Sequence, residues 1–565
     1  MKFKSKFKLN FNFFPKEEVE EENWDIDLKK GLFIGVGCKI IGVGVNKIEP
    51  IYLEWGDLAG HLCVYGTTRV GKTRLMVSLI RQCIIRGMDI LVVEPKGSVG
   101  QETIAWVMQF CQEANRLRDF KYCSPMFPEL SVCFNPLYGL SNEEIASLVA
   151  TIVPAKDEFF KSIGYTVTIA LLAGLEFLEL AEGRDEVSKI IENEYKRVFS
   201  GNANIINELE GVSDPDLATR IILPKPNETL ADMDPPFRSI VTFADLATYS
   251  TLEGITAILQ HVEKVTEEQY NVKTPGEKQR LNIKKAEALR SLTEQAEKDK
   301  GFFSKVASSF QVILQKMSTG RLGEILCTTK INPIMDGYKN TNHGQILIIQ
   351  PYPLIYKDAS DAFVRIFFAM FTATFGNIGA AGRTLPRELC LFIDEGGSVL
   401  YPGVESLFNK AGGIGLRIFI FTQSFADYED SLGPEVSKIV NDNTNIKLYL
   451  KMNDASSRKQ LEDAFGKVRM TTTSYMGSKL DMRVSLKDEE RPLLLSTHIA
   501  EMKKQEFLLQ FKHGNYVCCA PAQQDPDYVI EMPNTASEEL YNSYAKWNVL
   551  SIDKNTNNIE EAVKI

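Results

Sequence analysis

Eight consecutive residues, GTTRVGKT at 66–73, constrain the fold of this chain more than any other feature. They match the pattern G-x-x-x-x-G-K-[ST], in which glycines turn successive backbone N–H groups towards a phosphate at the start of a helix. A short apolar run at 61–65 precedes them, an amphipathic stretch at 72–86 follows, and a second apolar run occupies 89–93. This spacing predicts a βαβ unit within a parallel α/β sheet that binds nucleotide.

The residues at 66–73, called the phosphate loop below, have predicted roles. The two glycines allow a tight turn because they lack a Cβ atom. Lys72 is expected to neutralise β- and γ-phosphate oxygens, and Thr73 is expected to hold Mg²⁺. A glycine turn that caps a helix by chance is the weaker alternative, because the loop stands between a predicted strand and a predicted helix. The predicted ATP-binding residues are Gly66, Thr67, Thr68, Arg69, Val70, Gly71, Lys72 and Thr73.

A second motif, LCLFIDE at 389–395, supplies acidic side chains at the end of a continuous apolar run. We expect Asp394 to lie at the carboxyl end of a buried strand beside the metal, and Glu395 to polarise the attacking water. Acidic residues are also favoured at the start of a helix, so a helix cap is the alternative for this pair. The presence of the phosphate loop favours the catalytic interpretation.

Polar and basic residues around the next apolar run, 416–422, complete the predicted site. Gln423 ends this run and is expected to sense the γ-phosphate or to orient water, although it could simply be a polar residue leaving the sheet. Ring-forming motors complete each site with a cation from the neighbouring subunit. Lys410 and Arg417 are the candidates, and Arg417 is the predicted catalytic cation. Either could instead cap a helix or form a surface ion pair.

The periodicity of apolar residues changes along the chain and predicts its domains. Strand-helix alternation gives way after residue 140 to helical spacing that persists to about 325. Uninterrupted apolar runs typical of a parallel sheet then resume, with 506–511 expected as an edge strand. The predicted parts are an amino-terminal arm at 1–30, the first part of the nucleotide-binding domain at 31–140, an all-α insertion at 141–325, the second part of the nucleotide-binding domain at 326–530 and a polar tail at 531–565.

Composition narrows the classes of partner and compartment. The formal net charge of −10 means that any nucleic acid has to be gripped by local patches or a pore. Ten scattered cysteines without a CxxC pair are expected to be reduced core thiols. We expect no signal peptide and no membrane span, because the longest uncharged stretch, 366–382, is short for a bilayer. The arm at 1–30 is expected to be a solvated, partly frayed terminus, with contact to an anionic membrane as the alternative.

Several segments together resemble the coupling ATPases of conjugative type IV secretion, the TraD class, over roughly residues 50–450. The block from GLR to TQS after the acidic pair, combined with an early all-α insertion, is more particular than the phosphate loop alone. The segments that carry the resemblance are YGTTRVGKT at 65–73, VVEPKG at 92–97, FNPL at 134–137, LFIDEGGS at 391–398 and GIGLRIFIFTQSFADYEDSLG at 413–433.

The resemblance implies a RecA-like ATPase core with a mostly parallel sheet and an inserted all-α domain. It also implies a homo-hexameric ring on the cytoplasmic side of the bacterial inner membrane, with ATP and Mg²⁺ as cofactors. Such a ring would receive single-stranded DNA in a relaxase complex, or protein cargo, and deliver it to the secretion channel proteins.

The chain departs from typical members in three ways. It shows no pair of transmembrane helices before the core, so a separate membrane-anchoring partner is expected. Glu94 stands where many relatives carry Asp, and glycines at 412–413 stand where many carry an inter-subunit arginine. Two other functions stay open: a nucleotide-regulated cargo receptor or scaffold, and a DNA translocase of the FtsK/HerA type, although no winged-helix module is visible after residue 510.

Overall fold

The computed structural model describes residues 2–6, 23–40, 47–96, 100–153, 158–183, 189, 241–353, 357–476, 483–521, 523–531, 548–552 and 559–562. The chain divides into two units that interleave along the sequence. Unit 1 comprises Met1–Val93, Thr103–Ala114 and Glu388–Asp527. Unit 2 comprises Glu94–Glu102, Asn115–Arg387 and Tyr528–Ile565.

Strands occur in both units and are numbered here in chain order. They are β1 Lys2–Lys6, β2 Asn23–Asp27, β3 Leu32–Lys39, β4 Glu49–Leu53, β5 Leu62–Tyr65, β6 Asp89–Val93, β7 Phe120–Cys123, β8 Ile346–Ile349, β9 Leu389–Ile393, β10 Leu416–Thr422, β11 Ile446–Tyr449, β12 Lys467–Met476, β13 Arg483–Pro492, β14 Glu506–Phe511, β15 Gly514–Cys519, β16 Tyr528–Glu531, β17 Asn548–Ile552 and β18 Ile559–Ala562.

Helices follow several of these strands and fill most of the described part of unit 2. The α-helices are Lys72–Ile85, Gly100–Glu113, Asn142–Ile152, Glu158–Glu182, Phe243–Tyr249, Leu252–Lys264, Pro275–Ala296, Lys300–Ser318, Gly320–Cys327, Pro333–Lys339, Lys357–Ala380, Gly396–Val399, Glu405–Lys410, Phe425–Leu432, Pro434–Asp442, Ala455–Phe465 and Ser496–Glu501.

The main sheet of unit 1 contains a parallel centre with an antiparallel flank. Its strand order within unit 1 is β4-β3-β15-β14-β11-β5-β10-β9-β6. The pairs β11–β5, β5–β10, β10–β9 and β9–β6 are parallel. The pairs β11–β14, β14–β15, β15–β3 and β3–β4 are antiparallel. The predicted α/β class with a mostly parallel centre is confirmed.

One strand takes a different place from the one predicted. The segment at 506–511 was expected at the edge of the sheet, but β14 lies between β11 and β15. The edge prediction is wrong because β14 forms a tight hairpin with β15, and β15 in turn pairs with β3. The pairing of β15 with β3 over four residues therefore joins β3 and β4 to the nucleotide-binding sheet.

The central strands owe their position to continuous apolar sequence. All five residues of β9 and all four of β5 are buried, which is the pattern of parallel strands covered on both faces. The helix Lys72–Ile85 packs on this sheet through buried side chains that include Leu75 and Leu79. Gln82 on the same helix is buried, and its amide bonds to both the N–H and the carbonyl of Phe33 at 2.9 and 2.8 Å.

Unit 2 is mostly helical. Every secondary-structure element that the structure describes between residues 141 and 325 is helical, and the last of these helices, Gly320–Cys327, runs two residues further. Three of the helices pack so closely that a Cβ atom added to Gly174 would lie 2.7 Å from Ile258 and 2.9 Å from Leu292. Thr274 and Glu277 form a capping box at the start of one of them, as expected for a T-x-x-E sequence. Unit 2 therefore holds the predicted all-α domain.

Both chain ends contain strands. β1 pairs antiparallel with β2, and Ile26 in β2 is completely buried. The described part of the arm therefore forms an antiparallel pair of strands, and the expectation of a frayed terminus is wrong there. The rest of the arm, and much of the predicted tail, lies outside the described residues. Two strands, β17 and β18, fall within the tail and form a small antiparallel sheet with β16.

Two helices of unit 2 are long and apolar enough to cross a membrane by length and composition. They are Phe159–Glu182, with a mean hydropathy of 1.6, and Ala359–Ala380, with 1.4. Their most apolar windows are 56% and 50% buried within the protein. Length and composition do not separate such helices from the buried core helices of a soluble protein, which meet the same criteria. Most of the uncharged stretch at 366–382 lies in the second of these helices, Lys357–Ala380.

All ten cysteines are free thiols, and eight of them are buried. Burial raises the pKa of Cys63 to about 12. These thiols behave as small apolar side chains in the core.

Candidate nucleotide site

Three predicted site segments meet at one edge of the parallel sheet. The phosphate loop follows β5, Gln423 follows β10, and Asp394 follows β9. β10 lies between the other two strands, with Thr422 opposite Tyr65 and Ile420 opposite Ile393. Because neighbouring strands are about 4.8 Å apart, the ends of β5 and β9 are separated by roughly 10 Å. This spacing leaves room for a triphosphate between the loop and the acidic pair.

The base of the phosphate loop is fixed by the strands on either side of β5. The N–H of Gly66 donates to the carbonyl of Thr422 at 3.1 Å, and the N–H of Thr67 donates to the carbonyl of Lys451 at 3.0 Å. A Cβ atom at Gly66 would lie 2.8 Å from the Cβ of Leu450, so this position requires glycine. Gly71, immediately before the helix Lys72–Ile85, has φ of +109°, a conformation that residues with a Cβ rarely adopt.

Lys72 turns its side chain back over the loop. Its ammonium donates to the carbonyl of Gly66 and, at 3.0 Å, to the carbonyl of Thr67. The residue is only 5% exposed, so its positive charge is concentrated within the loop. Thr73 follows on the first turn of the helix, whereas Thr68 and Arg69 are exposed at the tip of the loop. The positive charge and the amino-terminal end of the helix both favour an anion at this place.

The acidic pair is held by the end of the sheet. Asp394 is completely buried, its N–H donates to the carbonyl of Val93 at 2.9 Å, and its carboxylate accepts the N–H of Glu395 at 3.0 Å. Glu395 has φ of +49° and ψ of +61°, the left-handed region that residues other than glycine avoid. Its carboxylate accepts a hydrogen bond from the side-chain amide of Gln423 at 3.4 Å. The predicted water-activating residue and the predicted sensor are thus in direct contact.

Sequence reasoning missed the residues that support this turn. Asp427 accepts the hydroxyl of Thr422 at 3.0 Å, and a Cβ atom at Gly397 would lie 2.6 Å from the Asp427 carboxylate. Ser431 donates to the carbonyl of Gly397. The available signal was the sequence SFAD, because Ser424 caps the helix Phe425–Leu432 by accepting the N–H of Asp427 at 3.2 Å. These contacts hold the turn that carries Glu395.

Arg417, the predicted cation for the site of a neighbouring subunit, is engaged by partners in its own chain. It stands near the start of β10, six residues before Gln423 and therefore roughly 20 Å away along the strand. Its guanidinium donates to Glu388 at 2.7 Å and to the carbonyl of Gly412 at 2.8 Å, and its side chain is only 11% exposed. The structure does not bring Arg417 together with the phosphate loop. Lys410, by contrast, is exposed at the end of its helix.

The side chains that line this edge suit a hard divalent cation. Mg²⁺ binds through one or two carboxylates or hydroxyls together with substrate phosphate oxygens, and it does not need a protein-only cage. The buried carboxylate of Asp394 and the hydroxyl of Thr73 are donors of this kind. Within the described ranges, no group of three or more His, Cys, Asp or Glu residues is close enough to hold a metal by itself.

Unit 2 contains a buried polar cluster around Glu94. The Glu94 carboxylate accepts the N–H of Lys96 at 2.9 Å and the side-chain amide of Gln350 at 2.7 Å. The hydroxyls of Tyr122 and Tyr352 donate to the same Gln350 at 2.8 and 3.2 Å. Burial raises the pKa of Tyr352 to about 12, so Tyr352 donates this hydrogen bond as a neutral phenol. Both carboxylate oxygens of Glu94 therefore accept a hydrogen bond.

Comparison with known proteins supports the resemblance inferred from the motifs. Residues 388–504 match the family model described as the TraM recognition site of TraD and TraG. This segment contains Asp394, Glu395 and Gln423. A search of curated protein sequences gave no significant match.

Solved structures extend the comparison to most of the chain. The unbound bacterial conjugative coupling protein TrwBdeltaN70 superposes with a TM-score of 0.52 at 13% identity, covering 88% of this chain and 91% of that chain. TrwB in complex with the ATP analogue ADPNP gives 0.51 at 14% identity, covering 89% and 97%. TrwB in complex with the GTP analogue GDPNP gives 0.51 at 13%, covering 89% and 97%. The chain therefore has the fold of the conjugative coupling protein TrwB, and the predicted resemblance is confirmed.

Proposed function

We propose that this chain is the ATP-hydrolysing coupling protein of a conjugative type IV secretion system. In this role it recruits a DNA–relaxase complex or protein cargo and delivers it to the secretion channel. The observation that carries the proposal is the single sheet edge shared by Lys72, Asp394, Glu395 and Gln423, in which Gln423 bonds directly to Glu395. The family match at 388–504 and the TrwB-like fold support the conjugative context.

Each residue at this edge has a distinct part in hydrolysis. Lys72 leaves the carbonyls of the loop and binds β- and γ-phosphate oxygens. Thr73 and Asp394 hold Mg²⁺, which supplies charge neutralisation at the phosphates when it is bound. Glu395 accepts a proton from the attacking water, and Gln423 holds the Glu395 carboxylate in place. The buried strand that positions Asp394 keeps this arrangement rigid.

The remaining assignments belong to the same proposal. The chain forms a homo-hexameric ring on the cytoplasmic side of the bacterial inner membrane, and a separate membrane protein attaches the ring to that membrane. The ring passes single-stranded DNA through its pore. Lys410 supplies the inter-subunit cation, because it is exposed and Arg417 is engaged in an ion pair. The all-α domain, at about 141–325, meets cargo. A net charge of −10 requires that DNA be held by local basic patches.

Two substitutions test the proposal against the scaffold alternative. We expect Lys72→Ala to lose nucleotide binding and turnover, and Glu395→Gln to keep binding but lose turnover by roughly 10²–10⁴. ATP turnover is measured with and without a single-stranded oligonucleotide, and DNA transfer is measured in mating cells. Lys438→Ala, at an exposed position on the helix Pro434–Asp442, is the matched control. Normal DNA transfer by the Lys72→Ala protein would refute the motor, and nucleotide-dependent cargo binding without stimulated turnover would favour the scaffold.

A further inference from the structure

A short segment after β15 runs along the helix that begins at the phosphate loop. This segment, residues 523–527, is called the strap. Arg74, the residue after Thr73, donates to the carbonyl of Gln523 at 2.7 Å and forms an ion pair with Asp525 at 2.5 Å. The strap therefore contacts the residue next to Thr73, the predicted metal ligand on the first helical turn.

A second helix holds the other side of the strap. The indole N–H of Trp106 donates to the carbonyl of Gln524 at 2.9 Å, and Trp106 is only 2% exposed. Gln109 accepts the N–H of Asp527 at 3.0 Å and donates to the Asp527 carboxylate at 3.2 Å. The strap thus lies in the groove between the helices Lys72–Ile85 and Gly100–Glu113, fixed by side chains from both.

The turn before β14 joins this strap to the phosphate loop itself. The N–H of Gln505 donates to the carbonyl of Val70 at 3.2 Å, and its own carbonyl accepts the N–H of Ala520 at 2.9 Å. A Cβ atom at Gly71 would lie 3.6 Å from Cγ of Gln505. Gln505 adopts φ of +73°, and its side chain is partly exposed. Gln505 and the strap therefore border one continuous flank of the loop.

The direction of a bound triphosphate follows from the positions of the catalytic residues. Its γ-phosphate has to face Glu395 and Gln423, on the β10 side of the loop. The backbone of a phosphate loop cradles the α- and β-phosphates, so the α-phosphate lies at the first helical turn. The nucleoside then leaves the loop on the flank away from β10, where β14 and the Gln505 before it are found. Arg74 binds the strap at the first helical turn, where the α-phosphate lies.

We propose that the nucleoside half of a bound nucleoside triphosphate lies against Gln505 and the strap, and that Arg74 is a positioning residue that fixes the strap. This inference rests on the nucleotide binding proposed above. Side-chain amides pair well with the N6 and N7 edge of adenine. Gln505 and Gln523 are both partly exposed residues, although the Gln523 amide also donates to the carbonyl of Gln524 at 3.4 Å. Ribose and purine are the chemical class that this wall recognises.

Binding of ATP and of inorganic tripolyphosphate by the full chain tests the wall, because tripolyphosphate has no nucleoside. We expect Gln505→Ala and Arg74→Ala to weaken ATP binding about tenfold, the factor given by roughly 1.4 kcal/mol. Tripolyphosphate binding should stay within about twofold, which also shows that the variants are folded. Arg81→Ala is the matched control, since Arg81 pairs with Glu113 at 2.9 Å between the same two helices but two turns further on. It should bind both ligands normally.

Three results would overturn the inference. Unchanged ATP affinity in both variants would show that the nucleoside lies elsewhere. An equal loss for ATP and tripolyphosphate would show that these residues act only through the phosphate loop. Failure of the unaltered protein to bind either ligand would remove the proposed nucleotide site together with its nucleoside wall.

Discussion

At position 395 glycine should give a more stable protein than alanine, whereas in the middle of a helix alanine is the more stable of the two. Glu395 has φ of +49° and ψ of +61°. This left-handed conformation costs a residue with a Cβ atom roughly 1–2 kcal/mol. Glycine avoids that cost but loses more backbone entropy on folding, roughly 0.5–1 kcal/mol. Glu395→Gly is therefore expected to be more stable than Glu395→Ala by up to about 1.5 kcal/mol.

A matched pair of variants at Glu429 supplies the reference. Glu429 is exposed in the helix Phe425–Leu432, where glycine should be less stable than alanine by roughly 1 kcal/mol. Denaturant unfolding followed by circular dichroism compares the two pairs. Both Glu395 variants should also lose ATP turnover, because each lacks the carboxylate. If glycine were as destabilising at 395 as at 429, the left-handed turn would not exist in solution, and the argument for a strained catalytic turn would collapse.

Two further predictions concern the opposite end of the sheet. Burial lowers the pKa of His61 from 6.5 to about 4, so between pH 6.5 and pH 4 the folded protein binds fewer protons than the unfolded chain. The free energy of unfolding should therefore fall by at most roughly 3 kcal/mol as the pH drops from 6.5 to 4. Denaturation curves of the His61→Gln protein should show a weaker dependence on pH. Arg417→Ala should lower the free energy of unfolding by roughly 1–3 kcal/mol, because Glu388 and the carbonyl of Gly412 lose this hydrogen-bond donor. ATP turnover per folded chain should stay normal. Lost turnover at unchanged stability would instead support Arg417 as the catalytic cation.

Local sequence predicted the elements of the site well because each element is specified by its own residues. The helix of the phosphate loop begins at Lys72, as the motif requires, and β9 and β10 have the predicted bounds. A buried parallel strand needs an uninterrupted apolar run, and such a run ends where the first carboxylate appears, at Asp394. These features depend on chemistry within a few residues.

The order of the strands could not be predicted in the same way. An apolar run does not identify the strand with which it pairs, so nothing in Glu506–Phe511 indicated that β14 lies inside the sheet. The position of Arg417 was open to prediction, however. Arg417 and Gln423 are six residues apart on one predicted strand, so they have to lie at opposite edges of the sheet. The strap was missed because its contacts join residues more than 400 positions apart, such as Arg74 and Asp525.

The pairing of β5 with β10 has a consequence for how this protein is made. Val64 lies opposite Phe421, and these residues are 357 positions apart in the sequence. At roughly 5–20 residues per second, a ribosome needs about 20–70 seconds to supply the partner strand after β5 has emerged. During that time the nascent phosphate-loop strand lacks both of its parallel neighbours, since β11 comes later still. The intervening helices can assemble from contacts close in sequence, which form fastest, whereas the catalytic sheet has to wait until β10 and β11 have been synthesised.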